Sequence, residues 1–299
     1  MPPVEPLLLL PQGGLGNQLF QVVLARTLAE RFGRPLEVDP VLLRSRLRRL
    51  RGVTPRSLSP LLSQLLPEAR PTPWHRRAGA RLAARRPGPD GGWLLNDAAL
   101  ARAAAGGNLL DGLGAIRLLR THATHPALYT PPFTAAWRTI ATALDPLVGA
   151  EPPTLALHAR RGDYLHPRSG FFPLEASYYL RALGMLQEHP AIAARAGLAV
   201  GGPPPVLHVF SDDPAWCRAQ LNGAGWELRL EENRPETDLA RLAAAHILIL
   251  SNSSFSAVAA HLARLRDPTS LVLCPNRWLL EEDGRLGDLR GPDWLTVEV

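Results

Sequence analysis

The residues best equipped for chemistry stand together in one stretch, His158-Ala159-Arg160-Arg161-Gly162-Asp163. They follow the apolar run Leu155-Ala156-Leu157, which reads as a short buried strand. In open α/β sheets, ligands bind where the carboxyl ends of strands open into loops. Guanidinium groups there suit a phosphate, because their planar fork bonds two oxygens at once and keeps its charge. Two adjacent arginines straight after a buried strand are therefore read as a phosphate grip rather than as surface ion pairs. Asp163 and His166 lie just beyond and are the candidates to move a proton. Asp163, near the phosphate loop, is the first candidate, and His166 the second, because a histidine side chain titrates near neutrality when unperturbed. Both also have structural readings, with Asp163 holding the arginines in place.

Two further loops share this geometry. Val206–Phe210 reads as a strand that runs into Ser211-Asp212-Asp213, and Ile247–Leu250 as one that runs into Ser251-Asn252-Ser253-Ser254. Parallel strands put these carboxyl ends on one sheet edge. The serines stand at the start of the helix expected over Phe255–Leu265, where free N–H groups attract phosphate oxygens. The plain alternative for Ser253 is a helix cap. Asp212 and Asp213 invite a Mg²⁺ reading, but they precede Pro214 at a helix start, where carboxylates commonly cap N–H groups. No metal is expected. No histidine pair has zinc-protease spacing, and there is no Gly-x-Ser-x-Gly elbow and no P-loop.

The elements that position these loops alternate. In the second half the reading is strand Thr154–Leu157, helix Leu174–Gln187, turn Gly201–Pro205, strand Val206–Phe210, and a helix from Pro214 through Leu221. Strand Trp226–Leu230 follows, then a helix Leu239–Ala245 capped by Thr237-Asp238, strand Ile247–Leu250, the helix after the serines, and strand Ser270–Cys274. Such alternation implies parallel βαβ units in a doubly wound sheet. The first half opens as strand Leu7–Leu10, glycine turn Gln12–Gln18, and a helix with Phe20, Val23, Leu24, Thr27, Leu28 and Arg31 at helical spacing up to Gly33. The glycine spacing is not that of the dinucleotide fingerprint. A strand Leu36–Asp39, helices Ser57–Leu66, Trp74–Ala84 and Ala98–Ala105, short strands Asn108–Leu110 and Ile116–Leu119, a loop Pro126–Pro132 and a helix Thr134–Leu144 follow. Asp145 to Pro153 reads as a linker, which divides the chain into domains 1–149 and 150–299.

Composition limits the possibilities. The 299 residues are 46% hydrophobic, enough for a real core, and no apolar run reaches the length of a membrane span. Pro6–Pro11 is too short and lacks the basic start of a secretory signal. Cys217 and Cys274 form no disulfide framework, so the cytoplasm is the expected compartment. All 33 basic residues are arginine. They concentrate in the first half, notably at Arg44, Arg46, Arg48, Arg49, Arg51, Arg76, Arg77, Arg81, Arg85 and Arg86, so that half is net positive and the second half net negative. A basic face suits nucleic acid, an anionic glycan or a membrane surface, or is simply solvated. Without a recognised nucleic-acid-binding pattern, nucleic acid is not the expected partner. A peripheral position at the inner face of a bacterial membrane is the alternative to a wholly cytoplasmic one.

Five blocks carry a resemblance. His158-Ala159-Arg160-Arg161-Gly162-Asp163 resembles the HxRRxD peptide of fucosyltransferases that use GDP-fucose. Gly13-Gly14-Leu15-Gly16-Asn17-Gln18-Leu19-Phe20-Gln21 is similar to the opening segment of the α-1,2-fucosyltransferases, glycosyltransferase family 11. Phe210–Asp213 and Ser251–Ser256 resemble two further blocks in the same order, and Pro275-Asn276-Arg277-Trp278 resembles the C-terminal Pro-x-x-Trp. Three features depart from the family. Asp111-Gly112-Leu113-Gly114 lacks the usual aromatic and glutamine, Ala257 and Val258 stand where tryptophans are common, and residues 41–92 align with nothing.

The resemblance implies a GT-B-like α/β fold, two Rossmann-like domains facing a central cleft, with an acceptor-side first domain and a GDP-sugar-binding second. It implies inverting, metal-independent transfer of fucose from GDP-fucose to the 2-hydroxyl of a galactose-terminated glycan, with no cofactor beyond that donor. His158 and Asp238 would contact guanine, and Arg160, with Arg161 beside it, the pyrophosphate. Ser253, Ser254 and Phe255 would lie along the phosphates, and Gly14, Asn17 and Gln18 would line the cleft. The rivals are a fucosyltransferase of another linkage or one using another GDP-sugar, and a non-catalytic nucleotide- or nucleic-acid-binding protein.

Overall fold

The structure is a computed structural model. It describes residues 5–43, 57–72, 94–107, 109–111, 113–166, 169–188, 192, 194, 206–222, 225–280 and 289–299. The arginine groups at 44–51 and 76–86, the helix expected over Trp74–Ala84, Asn108, Gly112 and the turn Gly201–Pro205 lie outside the described residues. The chain is α/β and builds two compact units, one of residues up to Ala143 with Leu289, the other of Leu144 onward with the C-terminal strand.

The first unit holds a five-stranded parallel sheet of β1 (Leu7–Leu9), β2 (Leu36–Val38), β3 (Arg70–Pro71), β4 (Leu94–Leu95) and β5 (Leu118–Leu119), in the order β3-β2-β1-β5-β4. Helix α1 (Leu15–Arg31) buries Leu19, Phe20, Val22, Val23, Leu24 and Ala25, more than one stripe, so it is a central helix rather than a surface one. Its glycine turn is sterically required. Gly13 has φ +77°, and a Cβ there would meet Asn17 Nδ2 at 2.2 Å. Phe20 packs edge-on against Trp137 of the helix Thr134–Leu144, ring centroids 5.3 Å apart. Two shorter helices, Leu61–Leu65 and Asp97–Ala105, complete the described α-helices of this unit. Strands β3 and β4 have two residues each, too short for a periodic signal, and the sequence reading has neither. Leu109 and Leu110, expected in a strand, form a turn.

The second unit holds a six-stranded parallel sheet of β6 (Leu155–Ala159), β7 (Leu207–Ser211), β8 (Leu228–Glu231), β9 (Ile247–Ile249), β10 (Leu271–Pro275) and β11 (Leu295–Val297). The order is β11-β10-β9-β6-β7-β8. Numbered within the unit this is the doubly wound order 3-2-1-4-5-6, in which the chain reverses direction between the first and fourth strands. That reversal falls between β6 and β9. Leu155, Leu157, Leu207, Val209, Ile247 and Ile249 share one core with Tyr178, Tyr179 and Leu183 of the helix Ala176–Glu188 and with Cys217 and Leu221 of the helix Pro214–Leu221. The other face carries helices Pro235–Leu242 and Ser254–Arg266.

The helix read as starting after Asp238 begins earlier, at Pro235, because proline at the first helical position has its fixed φ and needs no N–H partner. Asp238 is therefore inside the helix rather than capping it. The proline-rich stretch after Asp145 is packed rather than free. Arg266 bonds Asp145 Oδ1 at 2.7 Å and Arg241 bonds Val148 O at 3.1 Å.

Candidate functional site

Strand β6 is fully buried along Leu155–Ala159 and lies between β7 and β9. Pairing of Ala159 with Ser211 and of Leu157 with Ile249 brings the three following loops to one sheet edge. The side chain of His158 ties two of them. Its Nδ1 lies 2.5 Å from Ser256 Oγ, and its ring lies 5.0 Å from that of Phe255 at the start of the helix Ser254–Arg266. Burial, with the nearby Arg160 charge, drives the His158 pKa down to about 3, so the ring is neutral at any physiological pH.

The two arginines have different fates. Arg161 is buried and spent on the protein. Its guanidinium lies 3.7 Å from the Trp216 ring centroid, Nη1 donates to Leu174 O at 3.3 Å, and Nε faces Asp213 Oδ2 at 3.5 Å. Arg160 stays partly exposed and is gripped by two carboxylates, Asp163 and, at 2.9 Å, Asp212 Oδ2. Five N–H donors on a rigid fork leave donors to spare after two such contacts.

The two aspartates of the β7 loop also divide the work. Asp213 is the helix cap that sequence reasoning gave to both, its Oδ1 accepting from Trp216 N at 3.1 Å. Asp212 is no cap. It reaches across to the β6 loop, where Oδ1 accepts from Arg161 N at 2.8 Å and Oδ2 pairs with Arg160. A Cβ on Gly162 would come within 2.5 Å of that Oδ2, so glycine there lets the two loops approach. The signal for Asp212 lay in the topology, because only a neighbouring parallel strand brings its loop to Arg160.

Ser253 caps the helix Ser254–Arg266, its Oγ accepting from Phe255 N at 3.2 Å. Its hydroxyl therefore does the plain capping work, while the helix's first turn keeps its end of partial positive charge at the sheet edge. Ser254 and Phe255 are half-buried there. Asn252 is buried and fastens this loop to its neighbours, donating to Phe172 O at 2.7 Å and Trp278 O at 2.8 Å. Tyr164, which stacks on Phe171 at 3.9 Å, lies under the Arg160 guanidinium.

Asp163 is exposed and engaged with Arg160, and His166 is exposed at the end of the short 3₁₀ turn Gly162–Leu165. Asp238 belongs to a polar group at the β8 side of the sheet. Asn233 Nδ2 bridges Asp238 Oδ1 and Glu231 Oε2, each at 3.1 Å, and Glu231 also bonds His208 at 2.7 Å and Arg241 at 3.1 Å. Burial, then the Glu231 charge, raise the Asp238 pKa against the lowering by Asn233. Gly14 and Asn17 belong to the first unit, at the start of α1. The neighbouring Gln18 is buried and structural, donating to Gly13 O and Ser57 O and accepting from Ser59 N.

No protein-family model matches this sequence, and no curated protein matches it. Solved structures of similar fold include POFUT1 in complex with GDP, 14% identical over 90% of this chain and 97% of that one, TM-score 0.43. They also include the fucosyltransferase NodZ from Bradyrhizobium, 15% identical over 86% and 93%, TM-score 0.39. The E. coli heptosyltransferase WaaC is 10% identical over 97% and 92%, TM-score 0.45. At these values no residue role, substrate or partner passes from them to this chain.

Proposed function

We propose that the chain is an inverting α-1,2-fucosyltransferase that carries L-fucose from GDP-fucose to the 2-hydroxyl of a terminal β-galactoside. One observation carries this reading. Arg160, held by two carboxylates with donors to spare, stands beside a helix N-terminus at the point where the strand order of the second sheet reverses. Three of the blocks that resemble family 11 meet at that edge, although they begin 52 and 41 residues apart in the sequence, at His158, Phe210 and Ser251.

In this mechanism the acceptor oxygen bonds to the anomeric carbon as the bond to the β-phosphate breaks, and its electron pair leaves with GDP. Negative charge grows on the phosphate. Arg160 and the N–H groups at the start of the helix Ser254–Arg266 stabilise it, which is electrostatic catalysis by pre-aimed donors. No metal is needed for that, and the carboxylates that would hold one have other work, Asp212 on Arg160 and Asp213 on the helix. Asp163 acts by holding Arg160. His158 and Asp238 are assigned to the guanine, His158 as a neutral ring.

The test is the product. GDP-fucose and a β-galactoside should give an α-1,2 linkage by NMR, without added metal and in the presence of EDTA. Arg160→Ala should cost on the order of 10²–10³ in rate with the melting temperature little changed. A different linkage would keep the donor reading and remove the 2-hydroxyl. Wild-type turnover by Arg160→Ala would remove the phosphate role.

A further inference from the structure

The chain that leaves Arg160 is built onto a second segment of the same compact unit, residues 276–280, which follow β10. Phe171 and Leu279 form an antiparallel bridge. Phe172 N donates to Trp278 O at 3.1 Å, and Leu280 N donates to Gly170 O at 3.0 Å. The two segments therefore make a short ribbon at the carboxyl edge of the second sheet. Buried Asn252, in the loop after β9, rivets it, because one amide donates to a carbonyl of each segment. Arg277 closes the end, with Nε donating to Leu279 O at 3.2 Å and Nη2 to Leu280 O at 2.7 Å. Its guanidinium lies 4.6 Å from the Phe172 ring centroid.

The ribbon presents an aromatic row that starts at Arg160. The Arg160 guanidinium lies 5.5 Å from the centroid of Tyr164, and the Tyr164 ring stacks on Phe171 at 3.9 Å with the planes 5° apart. Ser169 fixes both partners, since its Oγ donates to Tyr164 O at 3.0 Å and accepts from Phe171 N at 3.2 Å. Phe171 is only half-buried, so part of its surface stays open beyond the stack. Two leucines beside the row are exposed, Leu165 at 46% and Leu280 at 39%. An apolar surface held this firmly beside a charged grip, yet left open to water, marks a place where something binds.

We propose that Phe171, backed by Tyr164, is the platform for the sugar of the donor, and that it selects a 6-deoxyhexose. This rests on the transferase reading above. In a sugar diphosphate the sugar is bonded directly to the β-phosphate. A ring next to the arginine that holds this phosphate is therefore placed to meet the sugar. The C–H face of a pyranose is apolar and suits an aromatic surface. A 6-deoxy sugar ends in a methyl group, which gains from leaving water. A 6-hydroxyl in the same place would lose its water and find no partner on phenylalanine or leucine. The platform orients the sugar, and Arg160 keeps the phosphate.

The experiment compares GDP-L-fucose with GDP-L-galactose, which differs from it only by the 6-hydroxyl, and measures GDP binding beside them. Wild type should prefer GDP-L-fucose by about 10² in kcat/KM. Phe171→Ala, checked for a cooperative melt, should keep the wild-type affinity for GDP while the preference falls to about tenfold or less. Phe171→Leu, which keeps apolar bulk without the flat ring, should also lose preference, and it replaces the alanine variant if that one does not fold. Phe171→Tyr should keep the wild-type ratio, which a loss of the aromatic face does not allow. If wild type uses both donors equally, or if folded Phe171→Ala keeps the full preference, the platform fails and the phosphate site stands. If wild type neither binds GDP nor uses either donor, the transferase reading fails and this inference with it.

Discussion

Lowering the pH from 7.5 to 5 should destabilise this protein well before its carboxylates protonate. Two histidines, His158 buried and His261 half-buried, are held in neutral form. Burial lowers the pKa of His158 to about 3 and that of His261 to about 4. In the unfolded chain both titrate near 6.5. Between those values the unfolded state binds protons that the folded state refuses, so stability falls as pH falls. At pH 5 each ring lies about 1.5 units below its unfolded pKa, which costs about 2 kcal/mol per histidine, or about 4 kcal/mol for the pair. At pH 7.5 the cost is about zero by the same relation. Asp238 works in the opposite direction. Its raised pKa is a penalty at neutral pH that is relieved as the pH falls through the folded value. Urea denaturation at the two pH values measures the difference. His158→Gln, which keeps a hydrogen-bonding group for Ser256, should remove about half of it. A denaturation midpoint that is flat between pH 7.5 and 5, or a slope unchanged in His158→Gln, would refute the reasoning.

Two substitutions probe the arginine loop. Gly162→Ala should push Asp212 off Arg160, since the new Cβ would sit 2.5 Å from its Oδ2, and both melting temperature and transfer rate should fall. A wild-type rate would show that the Asp212 contact is dispensable. Asp212→Asn keeps an acceptor for Arg161 N but removes the charge on Arg160, a partly exposed contact worth about 1 kcal/mol after screening. The rate should drop about tenfold by steady-state kinetics, as a misaimed donor costs more in the transition state than in the fold. An unchanged kcat/KM would remove Asp212 from the positioning role.

Much of this was legible in the residues. Alternating apolar runs and turn signals announce the second sheet, and short strands closed by Arg160, Ser211 and Ser251 announce the edge at which its loops meet. The α/β class and two parallel sheets are as that spacing predicts. Register, and with it side-chain partnership, was hidden. Nothing in the sequence separates Asp212 from Asp213, since both precede Pro214; strand order alone sends one to a neighbouring loop and leaves the other as a cap. Nor does it separate Arg160 from Arg161, where the alternation of a strand's end buries one and exposes the other. The ribbon of Phe171 and Leu279 joins segments far apart in the sequence and too short to carry a period, so no local pattern marks it.

The central claim is that the edge formed by Arg160 and the helix Ser254–Arg266 holds a guanosine diphosphate. Calorimetric titration of the wild-type chain with GDP, UDP and ADP, each with Mg²⁺ and with EDTA, tests it most directly. Saturable binding of GDP with or without metal, weaker binding of the other two, and loss of GDP binding in Arg160→Ala are the predicted results. Binding of UDP alone, or GDP binding that is unchanged in Arg160→Ala, would contradict it.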